Sequence, residues 1–320
     1  MVTPLGLGLA ALGRPGYINL GHSHDLHQNY AVADMQASAE NVLDAAWSAG
    51  IRYFDAARSY GRAEEFLAGW LRARALDPST VTVGSKWGYT YTAGWQVQAE
   101  KHEVKDHSLP VLRRQIGESR TLLGDHLRLY QIHSATLDSG VLDNRPVLDE
   151  LARLRNEGLI IGLSLSGPAQ STTLAKALDI HYDGTRLFGA VQATWNLLER
   201  SAGKMLETAH AAGLGVIVKE ALANGRLTTR NDAVDFSEKR RQLETVAVEL
   251  GATVDALALA AVLAQPWVDV ILSGAATVEQ LHSNVLALEV SWTPELTARL
   301  EDLTEDPAEY WARRNSLAWN

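Results

Sequence analysis

The chain has 320 residues, 46% of them hydrophobic and 21% charged, the balance of a globular protein rather than a disordered one. Its formal net charge is −9 with no basic cluster, which argues against nucleic-acid binding, whose electrostatic term needs a concentrated Lys/Arg surface. Cysteine is absent, which excludes disulfides, thiolate nucleophiles and Cys-based zinc sites.

The first segment, MVTPLGLGLAALG, is apolar, but it has no charged leader and its apolar run is short, so it reads as a strand. No later segment is long enough to span a membrane, and the expectation is a cytoplasmic protein without a membrane partner. One local grammar then recurs: an amphipathic helix, a Gly near its end, a short apolar strand, then polar or small residues. Gly50, Gly124, Gly158 and Gly213 stand where a left-handed residue ends a helix. The strands are continuous apolar runs, as expected where both faces of a parallel sheet are covered.

In chain order the pattern predicts strands near Leu5–Leu9, Arg52–Asp55, Val81–Lys86, Leu127–His133, Ile160–Leu165, Ala190–Ala193, Gly215–Lys219 and Val268–Leu272. Each interval can hold a helix. Eight parallel strands with helical crossovers fit a closed α/β barrel, or less comfortably an open doubly wound sheet. No linker or composition shift divides the chain, so one domain over residues 1–320 is expected. The helix predicted at Ala63–Leu76 puts Phe66, Leu67, Trp70 and Leu71 on one face, with Glu64 and Glu65 at its positive end.

Long connections follow strands one, three and seven, over residues 12–37, 88–108 and 220–237, and in a barrel they share the C-terminal face. The tail, Pro307–Asn320, carries Tyr310, Trp311 and Trp319 and is too aromatic to be a floppy end.

The second strand ends in Asp55, with Tyr60 just beyond in the turn before Gly61; the third ends in Lys86 and the fourth in His133. The ends of neighbouring strands lie about 5 Å apart, so these four side chains converge on one patch. A tyrosine is a poor acid at neutral pH because its pKa is about 10. An adjacent ammonium favours the phenolate, and a buried carboxylate keeps that ammonium charged and oriented. The expected result is a tyrosine tuned for proton transfer near neutrality, with His133 positioning a carbonyl oxygen. No side chain here supplies electrons, so carbonyl reduction requires a bound hydride donor.

These residues resemble the aldo-keto reductase family. The family's opening Asp, followed five residues later by Tyr-Gly, stands here as Asp55-Ala-Ala-Arg-Ser-Tyr60-Gly61, and Lys86 and His133 fall at its remaining tetrad positions. The similarity runs from GLGLAALG to the segment ending at Asn284. It implies a (β/α)8 TIM barrel that binds a nicotinamide cofactor, NAD(P), and passes hydride between it and a carbonyl or alcohol, with Tyr60 as general acid or base.

The same resemblance implies cofactor-binding residues. GAVQATWN is similar to the segment that holds the carboxamide and stacks an aromatic under the nicotinamide, implying Gln192 and Trp195. The strand IIGLSL keeps the family's Ser at Ser164, followed by Leu165 in place of its usual Asn. EALANGRL resembles the pyrophosphate loop and implies Leu222, Ala223 and Gly225, with Arg226 as an added phosphate contact. ILSGAATVEQLHSN resembles the adenosine segment and implies Gly274, Ala276, Thr277, Gln280 and Asn284. NADP-dependent relatives often place Lys or Arg at the positions of Gly274 and Gln280. Their absence leans the expectation slightly toward NAD, with Arg226 and Arg230 as the remaining basic groups.

Two rival readings stand beside this one. His22-Ser-His24 has the spacing seen in metal-dependent hydrolases on the same barrel, but strands five to eight supply no His ligand, so no metal is expected. A cofactor-binding regulatory subunit with little turnover is the other. GLGLAALG spaces its glycines unlike a dinucleotide fingerprint, and there is no P-loop.

Overall fold

The computed structural model describes residues 2–320. Eight strands form the barrel: β1 (Leu5–Gly8), β2 (Tyr53–Asp55), β3 (Thr82–Trp87), β4 (Leu127–Ala135), β5 (Ile160–Leu165), β6 (Ala190–Thr194), β7 (Gly215–Lys219) and β8 (Val270–Ser273). They pair in chain order, all parallel, and β1 closes the ring against β8. This is the (β/α)8 architecture expected from the strand count. The closed ring removes the open-sheet alternative, because no barrel strand has a free edge.

Alternation along each strand sorts the side chains. Residues facing the helices, such as Leu7, Phe54, Val83, Val191 and Val218, are fully buried in the main core with the inner faces of the surrounding helices. Residues facing the axis plug the barrel interior: Tyr53, Leu129, Ala190, Ile217 and Leu272. Tyr53 is the bulky member, and Gly84 makes room for it. A Cβ on Gly84 would come 2.4 Å from the Tyr53 hydroxyl.

The helix expected at Ala63–Leu76 spans Ala63–Ala73, with Phe66, Leu67, Trp70 and Leu71 buried as expected. It ends earlier than Leu76 because Ala75 takes a left-handed backbone, φ 48°. Glu64 is not merely a solvated dipole partner. It is buried, accepts from Ser85 and Ser119 at 2.6 and 2.7 Å, and pairs with Arg58, which is thereby drawn out of solvent.

Two antiparallel hairpins lie outside the barrel and break no predicted strand. One, Tyr89–Tyr91 with Glu103–Lys105, stiffens the long connection after β3; the other is His181–Tyr182 with Thr185–Arg186. The C-terminal helix, Pro307–Asn315, buries Tyr310 and Trp311 in a second core cluster. The segment after it reaches the β1 connection, where Tyr17 and Asn320 exchange backbone hydrogen bonds at 3.1 and 3.2 Å. No single helix among the described residues is long and apolar enough to cross a membrane.

Candidate active site

The mouth of the barrel holds a cavity of about 620 Å³, within the range of small-molecule sites. Asp55, Tyr60 and His133 line it, and Lys86 lies fully buried beneath them. Each position follows from local structure. Asp55 is the last residue of β2, in register with Gly8 and Gly84. The turn after it folds back against the β1 connection at two glycines. Gly61 takes φ 59°, and a Cβ there would stand 2.4 Å from the Gly13 carbonyl, which accepts the Arg62 N–H at 2.7 Å. That close approach presents the Tyr60 ring to the cavity.

Asp55 is the centre of a buried hydrogen-bond cluster. Its Oδ2 pairs with Lys86 Nζ, and its Oδ1 accepts from Tyr53 at 3.1 Å, Gln131 at 3.3 Å and Gln192 at 2.9 Å. Lys86 Nζ also donates to the Ala56 carbonyl at 3.0 Å and lies 3.5 Å from the Tyr60 hydroxyl. His133 stands edge-on to Tyr60 with ring centroids 5.4 Å apart, and its Nδ1 is 3.4 Å from Ser59 Oγ. The four tetrad residues are therefore one connected cluster.

Their electrostatics differ in one respect from the sequence expectation. The Tyr60 phenol is pushed far above the usual tyrosine range by burial first and the Asp55 carboxylate second. Tyr60 is thus held as the protonated phenol. His133 is held neutral: burial, then the Lys86 ammonium, depress its pKa well below the histidine range. The site offers a proton on Tyr60 beside an uncharged imidazole.

Of the residues implied for cofactor binding, Ser164, Gln192, Leu222, Gly225, Gly274, Gln280 and Asn284 all line the same cavity. The Leu222–Gly225 turn carries Ala223 and Asn224 in left-handed backbone, φ 49° and 56°, and the Asn224 carboxamide oxygen is buried without a partner. Gly274 borders open space, with nothing within 4 Å of a Cβ built there. Asn284 accepts from Ser273 at 2.8 Å in the amide orientation that also donates to Asp255 at 2.9 Å. A cavity lined by the buried Ser164 and Gln192 side chains, by the Leu222–Gly225 turn and by Gly274, which borders open space, can hold a nicotinamide dinucleotide.

Five implied residues are not brought to the cavity wall. Trp195 packs edge-on against Trp267, centroids 5.7 Å apart, because its position one residue beyond β6 turns the ring toward the helix layer. Arg226 is buried and paired with Glu305 at 2.5 Å, so its charge is spent inside the protein. Ala223 is buried in the second core cluster. Ala276 donates its N–H to Gln280 Oε1 at 2.9 Å, and Thr277 caps the helix Val278–Val285. These last three shape the loops without lining the cavity.

Several cavity residues escaped the sequence reading. Lys219 and Glu220 stand at the end of β7, where the strand-end rule that picked out Asp55 and Lys86 applies equally. Arg314 and Trp319 come from the aromatic tail, which carries no motif linking it to the site. Arg314 reaches Glu220 through Nε at 3.2 Å and Nη2 at 2.7 Å. Burial opposes ionisation of Glu220, but Arg314 and then Lys219 hold its pKa down at about 2. His22 and His24 form no metal cluster; among the described residues no three His, Cys, Asp or Glu groups are placed to hold an ion.

A profile of the Aldo/keto reductase family matches residues 4–305. An uncharacterized oxidoreductase, YrpG, of Bacillus subtilis (strain 168) is 29% identical over 308 residues, covering 87% of this chain and 90% of the relative. Pyridoxal 4-dehydrogenase of Microbacterium luteolum is 26% identical over 349 aligned residues, covering 94% of each. Among solved structures, the holo form of the aldo-keto reductase AKR11C1 from Bacillus halodurans superposes with a TM-score of 0.72. It is 21% identical and covers 95% of this chain and 93% of its own.

Proposed function

The chain belongs to the aldo/keto reductase family, and from that membership we propose that it is an NAD(P)-dependent oxidoreductase acting on a small aldehyde, ketone or sugar, or the matching alcohol. The observation that carries the reading is the convergence of Tyr60 and His133 on one cavity wall, with Lys86 and Asp55 joined behind them. The similarity to a pyridoxal 4-dehydrogenase supports a small-molecule substrate of this kind.

The chain's own residues divide the work. Ser164 and Gln192 would hold the carboxamide end of the nicotinamide dinucleotide, the Leu222–Gly225 turn its pyrophosphate, and Gly274, Gln280 and Asn284 its adenosine end. When bound, the cofactor supplies or accepts the hydride. In reduction Tyr60 donates its phenolic proton to the carbonyl oxygen, and Lys86 then stabilises the phenolate left behind. In oxidation Tyr60 takes the proton back. The neutral His133 imidazole positions the substrate oxygen without adding a charge that would compete with Tyr60 for the proton. Asp55 holds Lys86 in place through their direct contact.

The test compares wild type with Tyr60→Phe. The variant is expected to lose about 10³-fold in turnover while its affinity for the nicotinamide cofactor changes less than about twofold. Normal turnover by the variant would sink the assignment of Tyr60.

A further inference from the structure

Lys219 is a cavity-lining cation that the proton-transfer cluster does not use. Its direction follows from strand alternation: Ile217 plugs the barrel interior, so Lys219, two residues on, faces the same axis one layer higher. It is in register with Thr194, two residues beyond Gln192, on the strand beside it.

The other cations on the cavity wall are spoken for. Arg14 pairs with Glu103 at 2.9 Å, Arg230 with Asp25 at 2.8 Å, and Arg314 with Glu220 at 2.7 Å. Lys219 Nζ instead donates to the Thr194 hydroxyl at 2.9 Å, and its nearest carboxylate, Glu220, is 3.9 Å away. Glu220 is already engaged by Arg314 and by Thr194, at 2.9 Å. The group Lys219, Arg314 and Glu220 therefore carries one positive charge more than it balances. That charge is felt at the tetrad, where it helps depress His133.

An unbalanced ammonium distinguishes ligands by charge. A nicotinamide ring is a pyridinium cation when oxidised and neutral when reduced, and its reacting carbon must approach the Tyr60 end of the cavity. Resting on the oxidoreductase reading above, we propose that Lys219 sets the redox preference of the bound cofactor, so that the reduced form is held more tightly than the oxidised one. At separations of about 7 Å and an effective dielectric constant of about 20 the repulsion would alter the affinity ratio by about fiftyfold, and at about half that strength, with the cavity mouth open to water, by roughly tenfold. Tenfold corresponds to about 30 mV in the potential of the bound two-electron couple.

The Lys219 ammonium is also poised to titrate. Burial lowers its pKa to about 8, against the raising effect of Glu220, while Arg314 and Lys86 lower it further and Asp55 raises it. Thr194 donates no charge, and Trp311, 5.8 Å from Nζ, presents its ring face. The preference for the reduced form is therefore expected to be present at pH 7 and to fade by pH 9.5.

Equilibrium titration of the full chain with NAD+ and NADH separately, read by tryptophan fluorescence, tests this without turnover. In wild type at pH 7 the reduced form is expected to bind more tightly, and Lys219→Met is expected to shrink the ratio of the two affinities about tenfold, with Lys219→Arg keeping it. A ratio within twofold of wild type in the Met variant overturns the role of Lys219 while leaving the oxidoreductase reading intact. Should the Met variant not fold, the wild-type ratio at pH 7 and 9.5 decides, and an unchanged ratio overturns the proposal. Binding of neither form by wild type overturns the nicotinamide reading itself, and this inference with it.

Discussion

Gln192 Nε2 donates to Asp55 Oδ1 at 2.9 Å, linking the middle of β6 to the end of β2 across the barrel. Asp55 thereby accepts from Tyr53, Gln131 and Gln192 in addition to pairing with Lys86. The carboxylate is fixed by groups from four strands, and the ammonium it holds is fixed with it.

Removing that ammonium leaves Asp55 buried with neutral donors only. Lys86→Met is expected to lower the unfolding free energy by about 3–5 kcal/mol, measured by urea denaturation at pH 7. Adding Asp55→Asn should recover part of the loss, since the uncompensated charge is then gone. Strictly additive losses in the double variant would show that the pair is not coupled.

Cofactor choice is predicted from the adenosine end of the cavity. Gln280 spends its amide on the Ala276 N–H and on Asp25, and Arg230 is paired with Asp25 as well. Asp255 and Glu279 line the same region with negative charge. A 2′-phosphate there lacks a cationic partner and meets two carboxylates. NADH is expected to bind at least about tenfold more tightly than NADPH at low ionic strength. Glu279→Lys, an exposed substitution, should narrow the gap, and salt should narrow it in wild type. Equal affinities in wild type at low salt would refute the prediction.

Stability should fall in mild acid. Burial lowers the pKa of His22 and of His107 to about 4, and that of His133 well below the usual 6.5. Each is depressed in the folded state, so the unfolded chain binds more protons between the two values. Stability is then full above pH 6.5 and is lost as pH falls toward 4. Both ring nitrogens of His22 are buried without partners, and His22→Phe removes its titration. Between pH 6.5 and 5 the variant is expected to lose about 2 kcal/mol less than wild type. Identical pH slopes for the two proteins would count against the assignment.

Residues off the cavity wall should not affect cofactor affinity. Arg226→Met is expected to destabilise the fold, because Glu305 loses its buried partner, and to leave NADH affinity within about twofold. Trp195→Phe should behave likewise, its ring being packed against Trp267. A tenfold loss of affinity in either variant would place that side chain against the cofactor after all.

Much of this protein was legible in its sequence, for identifiable reasons. Eight apolar runs separated by helix-length intervals pointed to eight parallel strands with helical crossovers, because parallel strands covered on both faces leave a continuous hydrophobic signal, while closure into a barrel came from the pairing of β1 with β8. Asp55, Tyr60, Lys86 and His133 were readable because three consecutive strands place their ends side by side, so order along the chain becomes proximity in space. The hairpin Tyr89–Tyr91 with Glu103–Lys105 was not readable, since its short arms are polar and half exposed and carry no periodic signature.

What tertiary structure alone decided was direction and pairing. Sequence named Arg226 and Arg230 as cations, but only the fold shows both engaged, by Glu305 and Asp25. Sequence marked the tail as aromatic, but only the fold brings Arg314 to Glu220, 94 residues away, and so leaves Lys219 without a carboxylate of its own. A charge's effect depends on which neighbours share it and how much water remains, and both are set by contacts between segments distant in the chain. Local pattern determined which strand ends bring titratable side chains to the barrel mouth. Long-range packing decided which of those groups remain electrostatically free to act.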